Sequence, residues 1–207
     1  MTRWAMRSTL AATLLGLAAE ITGVVFAEDA AQAKSEPERF VGIAMVTNAP
    51  STGMVRFRVT VDRWSTDEER TALAQALHNG GTEALVAAME KNRVGSIQFD
   101  NNLGWPLRVA SSWQTEKGRL IRLGTNRPIY TEELRRGTRS LDYPIGIIEF
   151  TLPPEGPGEG TLLAATRAAF DSQGRLEVKS LPQNAGPQLL HEIEREVPKP
   201  KKKKENR

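Results

Sequence analysis

The sequence predicts an α+β domain that is mainly antiparallel β, a curled sheet or incomplete barrel of about eight strands with a helical hairpin inserted after the second strand. Three observations carry this. Apolar and polar residues alternate over Met54 to Val61; short β-rich runs recur with turn residues between them; and one stretch, Trp64 to Lys91, changes to helical spacing. No internal repeat is visible, and 207 residues can bury one sizeable core without staples.

The elements follow in order. Phe40 to Thr47 is β-rich, and Val55, Phe57, Val59 and Val61 alternate with Arg56, Arg58 and Thr60, which gives an antiparallel strand with one wet face. Asn48 to Gly53 between them is turn chemistry, so the two should pair as a hairpin. Ser65 followed by Glu68 reads as a capping box, and Asp67, Glu68 and Glu69 suit the positive end of a helix running to about His78. Asn79-Gly80-Gly81 should end that helix, and Thr82 should start a second one to about Lys91, with Leu85, Ala88 and Met89 as its apolar stripe.

The β pattern resumes in Val94 to Phe99, Leu107 to Gln114 and Leu120 to Thr125, divided by turns at Asn101 to Gly104 and Glu116 to Gly118. A helical turn is expected near Thr131 to Arg136 and a strand over Ile145 to Leu152. Gly160 to Asp171 and Arg175 to Leu181 should form a hairpin about Ser172 to Gly174. Gln188 to Val197 fits a helix or a strand, and its neighbours favour a closing strand.

Outside this domain, expected over residues 39–198, the ends have their own chemistry. Arg3 and Arg7 precede the apolar run Leu10 to Ala19, and Val25-Phe26-Ala27 offers a small-residue cleavage site, the order of a signal peptide spanning 1–27. The expected compartment is therefore periplasmic or secreted; the alternative is an inner-membrane anchor formed by an uncleaved signal, which Glu20 makes costly. Residues 28–38 are polar and alanine-rich and read as a flexible linker. The tail, 199–207, carries Lys199, Lys201, Lys202, Lys203 and Lys204, which repel one another and suit weak contact with anionic lipid or another acidic envelope polymer. Of the formal charge of +3, the signal carries +1 and the tail +5, so the body between them is −3. That distribution argues against a folded nucleic-acid binder, which needs a basic stripe.

With no cysteine, thiol catalysis and thiolate zinc sites are excluded. His78 and His191 sit in no charge-relay motif, and triad, zincin and phosphate-loop signatures are missing. Asp100-Asn101-Asn102-Leu103-Gly104 opens like a calcium loop but has Ser111 where the bidentate glutamate belongs, so a turn is expected and no metal or other cofactor is implied. The carboxylates left for acid-base work are Asp142 and Glu149, which would have to face one cleft to support a hydrolase. The aromatics Trp105, Trp113, Tyr130 and Tyr143, with Trp64, could instead line a ligand pocket or simply fill a core. The first reading is a non-catalytic binding or envelope-associated module with an unknown ligand, the second a carboxylate hydrolase, the third a purely structural domain.

The stretch Asp62-Arg-Trp-Ser-Thr-Asp-Glu-Glu-Arg70, followed by Arg93-Val94-Gly95, Asn102-Leu103-Gly104, Asn126-Arg127-Pro128-Ile129, Arg139 to Pro144 and Gly158-Glu159-Gly160, resembles a family of uncharacterised exported bacterial proteins. The resemblance spans most of residues 40–180 and implies export. It brings no reaction, ligand or site residue, and the basic tail lies outside the pattern.

Overall fold

A computed structural model describes residues 36–46, 53–100, 104–129, 142–183 and 186–197. The signal segment, the Thr131 to Arg136 turn and the basic tail lie outside the described residues. Ten strands and one helix follow in order: β1 (Glu38–Val46), β2 (Gly53–Val61), α1 (Asp67–Glu90), β3 (Gly95–Phe99), β4 (Trp105–Leu107), β5 (Val109–Thr115), β6 (Gly118–Thr125), β7 (Ile145–Leu152), β8 (Gly158–Phe170), β9 (Leu176–Ser180) and β10 (Gln188–Arg195).

Every described ladder is antiparallel, and the strand order is β4-β3-β2-β1-β10-β8-β7-β6-β5, with β9 paired to the far end of β8. The two ends of this order, β4 and β5, are separated in the chain by Arg108 alone. One segment thus pairs with β3 through its first half and β6 through its second, and the Arg108 amide donates to Gly124 O at 2.8 Å where the partner changes. The sheet is a nearly closed barrel. The Gln188 to Val197 segment is the expected closing strand, inserted between β1 and β8.

Alternation sorts the apolar side chains into two cores. Phe40, Phe57, Val59, Ile97, Phe99, Leu107, Ile121, Leu123, Ile148, Phe150, Leu162 and Leu190 come from almost every stave and fill the interior. Phe40 and Phe150 meet edge to face there, 5.3 Å between centroids, a geometry that suits their ring quadrupoles. Outside the barrel, Leu73, Leu85 and Met89 of α1 cover Val109, Ile145, Ile147, Ala168 and Leu176. Strand β7 is apolar on both faces for this reason: Ile148 and Phe150 point in, Ile145 and Ile147 meet the helix.

One expectation about the helix is corrected and another holds. The capping box is one residue later than Ser65 and Glu68: Thr66 Oγ1 accepts from the Glu69 amide at 3.2 Å and Glu69 accepts from the Thr66 amide at 3.1 Å. Ser65 is buried and bonded to β5 instead, its amide donating to Ala110 O and its hydroxyl accepting from the Ala110 amide. The expected break between two helical stretches falls at Gly81, where φ 69° and ψ −160° leave helical space. The entry and exit of the helical segment lie side by side, the Asp62 amide donating to Val94 O at 2.8 Å and Arg108 reaching Glu90 O and Asn92 O, so the chain doubles back as a helical hairpin. Glycine permits that conformation; a side chain would be strained in it.

Candidate functional site

Three arginines pair with acids close to them in the chain. Arg63 forks onto Glu69 at 2.7 and 2.8 Å, Arg175 reaches Asp171 at 2.7 Å, and Arg70 pairs with Asp67. The Arg63 bond, opposed by burial, holds the Glu69 carboxyl below its ordinary range.

A polar layer closes one end of the barrel interior. Glu38 starts β1 and points inward two residues before Phe40, with its side chain 10% exposed. It accepts from Arg119 through both oxygens at 2.7 and 2.9 Å and from Trp64 Nε1 at 3.2 Å; Arg195 lies 3.3 Å away. Arg119 also donates to Ser112 Oγ at 3.1 Å and stacks over Trp64. Burial would raise the Glu38 carboxyl, but the Arg119 hydrogen bonds and charge, with Arg195 and Trp64, outweigh it and hold it below the usual range. Each polar group is satisfied by another, so this layer is a plug.

The two carboxylates considered for acid-base work are not brought together. Glu149, on the outer face of β7, accepts from Arg122, whose other nitrogen donates to Leu176 O at 2.6 Å. Asp142 precedes β7 and is an exposed partner of Arg167, 3.4 Å away. Seven residues apart along an extended chain is about 20 Å, and the two line separate depressions.

The aromatics divide similarly. Trp105 is buried in the interior, edge to face with Phe99 at 5.8 Å. Trp113 lies on the outer face beneath the guanidiniums of Arg122 and Arg175, 5.2 and 4.7 Å from its ring centroid. Tyr143 lies under Arg167 at 5.2 Å. Tyr130, like Lys199 and Lys201 to Lys204, is outside the described residues.

The arrangement best suited to a ligand is a cleft of about 740 Å³ between the kink of α1 and the β8–β9 hairpin. Its size lies in the range of small-molecule sites. Leu77, Ala168 and Phe170 give it an apolar floor, and these also pack on the outer core. His78, Gly81 and Thr82 supply the helical wall; Asp142, Arg167, Asp171 and Lys179 the opposite one. The two acids are engaged, Asp142 by Arg167 and Asp171 by Arg175 and the amides of Gln173 and Arg175. Burial opposes ionisation of Asp171, yet those bonds hold its carboxyl low. Lys179 and His78 have no hydrogen-bond or ion-pair partner among the described residues. The uncommitted charge in the cleft is therefore positive. Sequence reading singled out Asp142, Tyr143 and His78 from this neighbourhood but not Lys179, which no local pattern marks.

Among the described residues no group of three or more His, Cys, Asp or Glu could hold a metal ion, and no helix is long and apolar enough to cross a membrane. No protein-family model, curated protein or solved structure matches the chain.

Proposed function

We propose that this chain is an exported, non-catalytic binding module whose ligand seats in the cleft between α1 and the β8–β9 hairpin. Export rests on the Arg3 to Ala27 pattern alone. The binding site rests on one observation: an apolar floor of Leu77, Ala168 and Phe170 beside Lys179, a cation without a described partner. A lysine left unpaired beside apolar surface suits an acidic head on an apolar body, because the ammonium gains a charge-assisted bond while the floor takes the hydrocarbon. Catalysis is disfavoured because Asp142 and Glu149 are each tied to a different arginine.

Octanoate and octanol, matched in chain length, test this by thermal shift. A ligand that binds only the folded chain adds about 2.7 kcal/mol at a hundred times its Kd, which for a domain of this size is roughly 5–10 °C. Octanoate should raise the melting temperature more than octanol, and Lys179→Ala should reduce the octanoate shift to the octanol level. If neither compound shifts the unfolding, or Lys179→Ala responds like the parent chain, the cleft is not the site.

A further inference from the structure

A second depression, of about 610 Å³, lies elsewhere on the barrel wall, where β10 carries an extra residue against both neighbours. The ladder with β1 slips between Val41 and Ile43, that with β8 between Leu190 and Ile193, and the residue accommodated is Glu192. Arg56 and Arg58 of β2 line the depression, together with Glu192 and with Asp100 at the end of β3. Val41 and Ile43 add apolar wall, while the ring of Phe57 turns inward beneath Gly42 into the barrel core.

The charges here are set out differently from many on the described residues. Several opposite charges that share a neighbourhood close into pairs, as in Arg63–Glu69, Arg119–Glu38, Arg122–Glu149 and Arg175–Asp171. In this depression two carboxylates and two guanidiniums line one space, yet none is paired with another. Arg58 reaches only Glu196, at 3.9 Å, and Arg56, Asp100 and Glu192 have no side-chain partner among the described residues. Separated charges of both signs, with room between them, match a molecule that carries both signs itself. Asp100 (φ 46°) and Glu192 (φ 52°) are also the only non-glycine residues with positive φ among the described ones. Such a backbone is uncommon outside glycine, though aspartate tolerates it better than glutamate, and here it falls twice on the same small wall.

We propose that this depression binds a free α-amino acid with an apolar side chain. The ammonium is held by Asp100 and Glu192, the carboxylate by Arg56 and Arg58, and the side chain by Val41 and Ile43. The site is independent of the α1 cleft and shares no residue with it.

Calorimetric titration of the full chain with phenylalanine, phenylalaninamide and N-acetylphenylalanine tests this, since the second lacks the carboxylate charge and the third the ammonium. Phenylalanine should bind, and each blocked analogue should bind at least about tenfold more weakly, the loss expected for one charge-assisted contact. Asp100→Asn removes a charge at a position where asparagine tolerates a left-handed backbone, so the chain should stay folded by circular dichroism while losing about tenfold in affinity. Arg56→Gln should do the same. Absence of phenylalanine binding by the folded parent chain, equal binding of the three compounds, or an unchanged affinity in folded Asp100→Asn would each overturn the proposal.

Discussion

Replacing Arg119 by methionine would strip the plug at the barrel end of its main cation while keeping apolar bulk against Trp64. Glu38 would then keep only the indole N–H and the more exposed Arg195 as partners. Removing one partner of a buried ion pair costs about 3–5 kcal/mol because the other charge stays behind. With Arg195 still 3.3 Å from the carboxylate, the lower end of that range applies, about 3 kcal/mol, or roughly 6–12 °C in melting temperature. Glu38→Met combined with Arg119→Met removes both charges and should recover most of the loss, giving a coupling of at least about 1 kcal/mol in a double-mutant cycle.

The pH dependence has a definite sign. The folded Glu38 carboxyl titrates below its ordinary value, so its contribution is complete above the unfolded value of about 4.3 and is lost as pH falls through the folded one. The stability gap between the parent chain and Arg119→Met should therefore narrow in acid. Urea unfolding at neutral pH and near pH 3 measures both effects. A single variant within about 0.5 kcal/mol of the parent, or a double variant whose loss equals the sum of the singles, would refute the account of the plug.

Two further changes probe α1. Thr66→Ala removes the hydroxyl that accepts from the Glu69 amide and should cost about 1 kcal/mol, whereas Ser65→Ala should act on the β5 contact at Ala110; hydrogen exchange of the first helical turn would rise in the former, and an unchanged rate would speak against the Thr66 cap. Gly81→Ala meets no atom within 4 Å, so its whole cost is the backbone, about 1–3 kcal/mol; a neutral effect on urea unfolding would mean that the kink relaxes.

Local patterns carried far in this chain, and they failed where tertiary contacts decide. Period-two alternation placed β2 to within a residue, since burial of one face dictates which side chains are apolar. The helix start was misplaced by one because Ser65 and Thr66 are both chemically able to cap, and the bond between Ser65 and Ala110, 45 residues away, assigns the task. Trp105 and Trp113, an even number of residues apart, should face the same side of one strand. They face opposite sides because the segment changes partners at Arg108 and its alternation is reset there, with Leu107 and Ala110 both inward. Glu38 stood at the edge of an expected linker, and nothing near it announces Arg119, 81 residues on. The two candidate sites were hidden for the same reason. Lys179, Arg56 and Glu192 look like ordinary surface charges until the fold shows which of them lack partners.

The shared segment from Trp105 to Thr115 bears on how the molecule keeps apart from other chains. A sheet with loose margins invites passing β segments to dock and polymerise. Here the two margins are consecutive stretches of one backbone, and Ser65 bonds to both the amide and the carbonyl of Ala110 beside the seam. Apart from β4 and β5, which share that backbone, the strand left with a single described neighbour is β9, five residues long, and Glu177 and Lys179 stand on it. Short length and alternating charge make that margin a poor template, so the barrel should remain resistant to edge-on aggregation without a single disulfide to lock it.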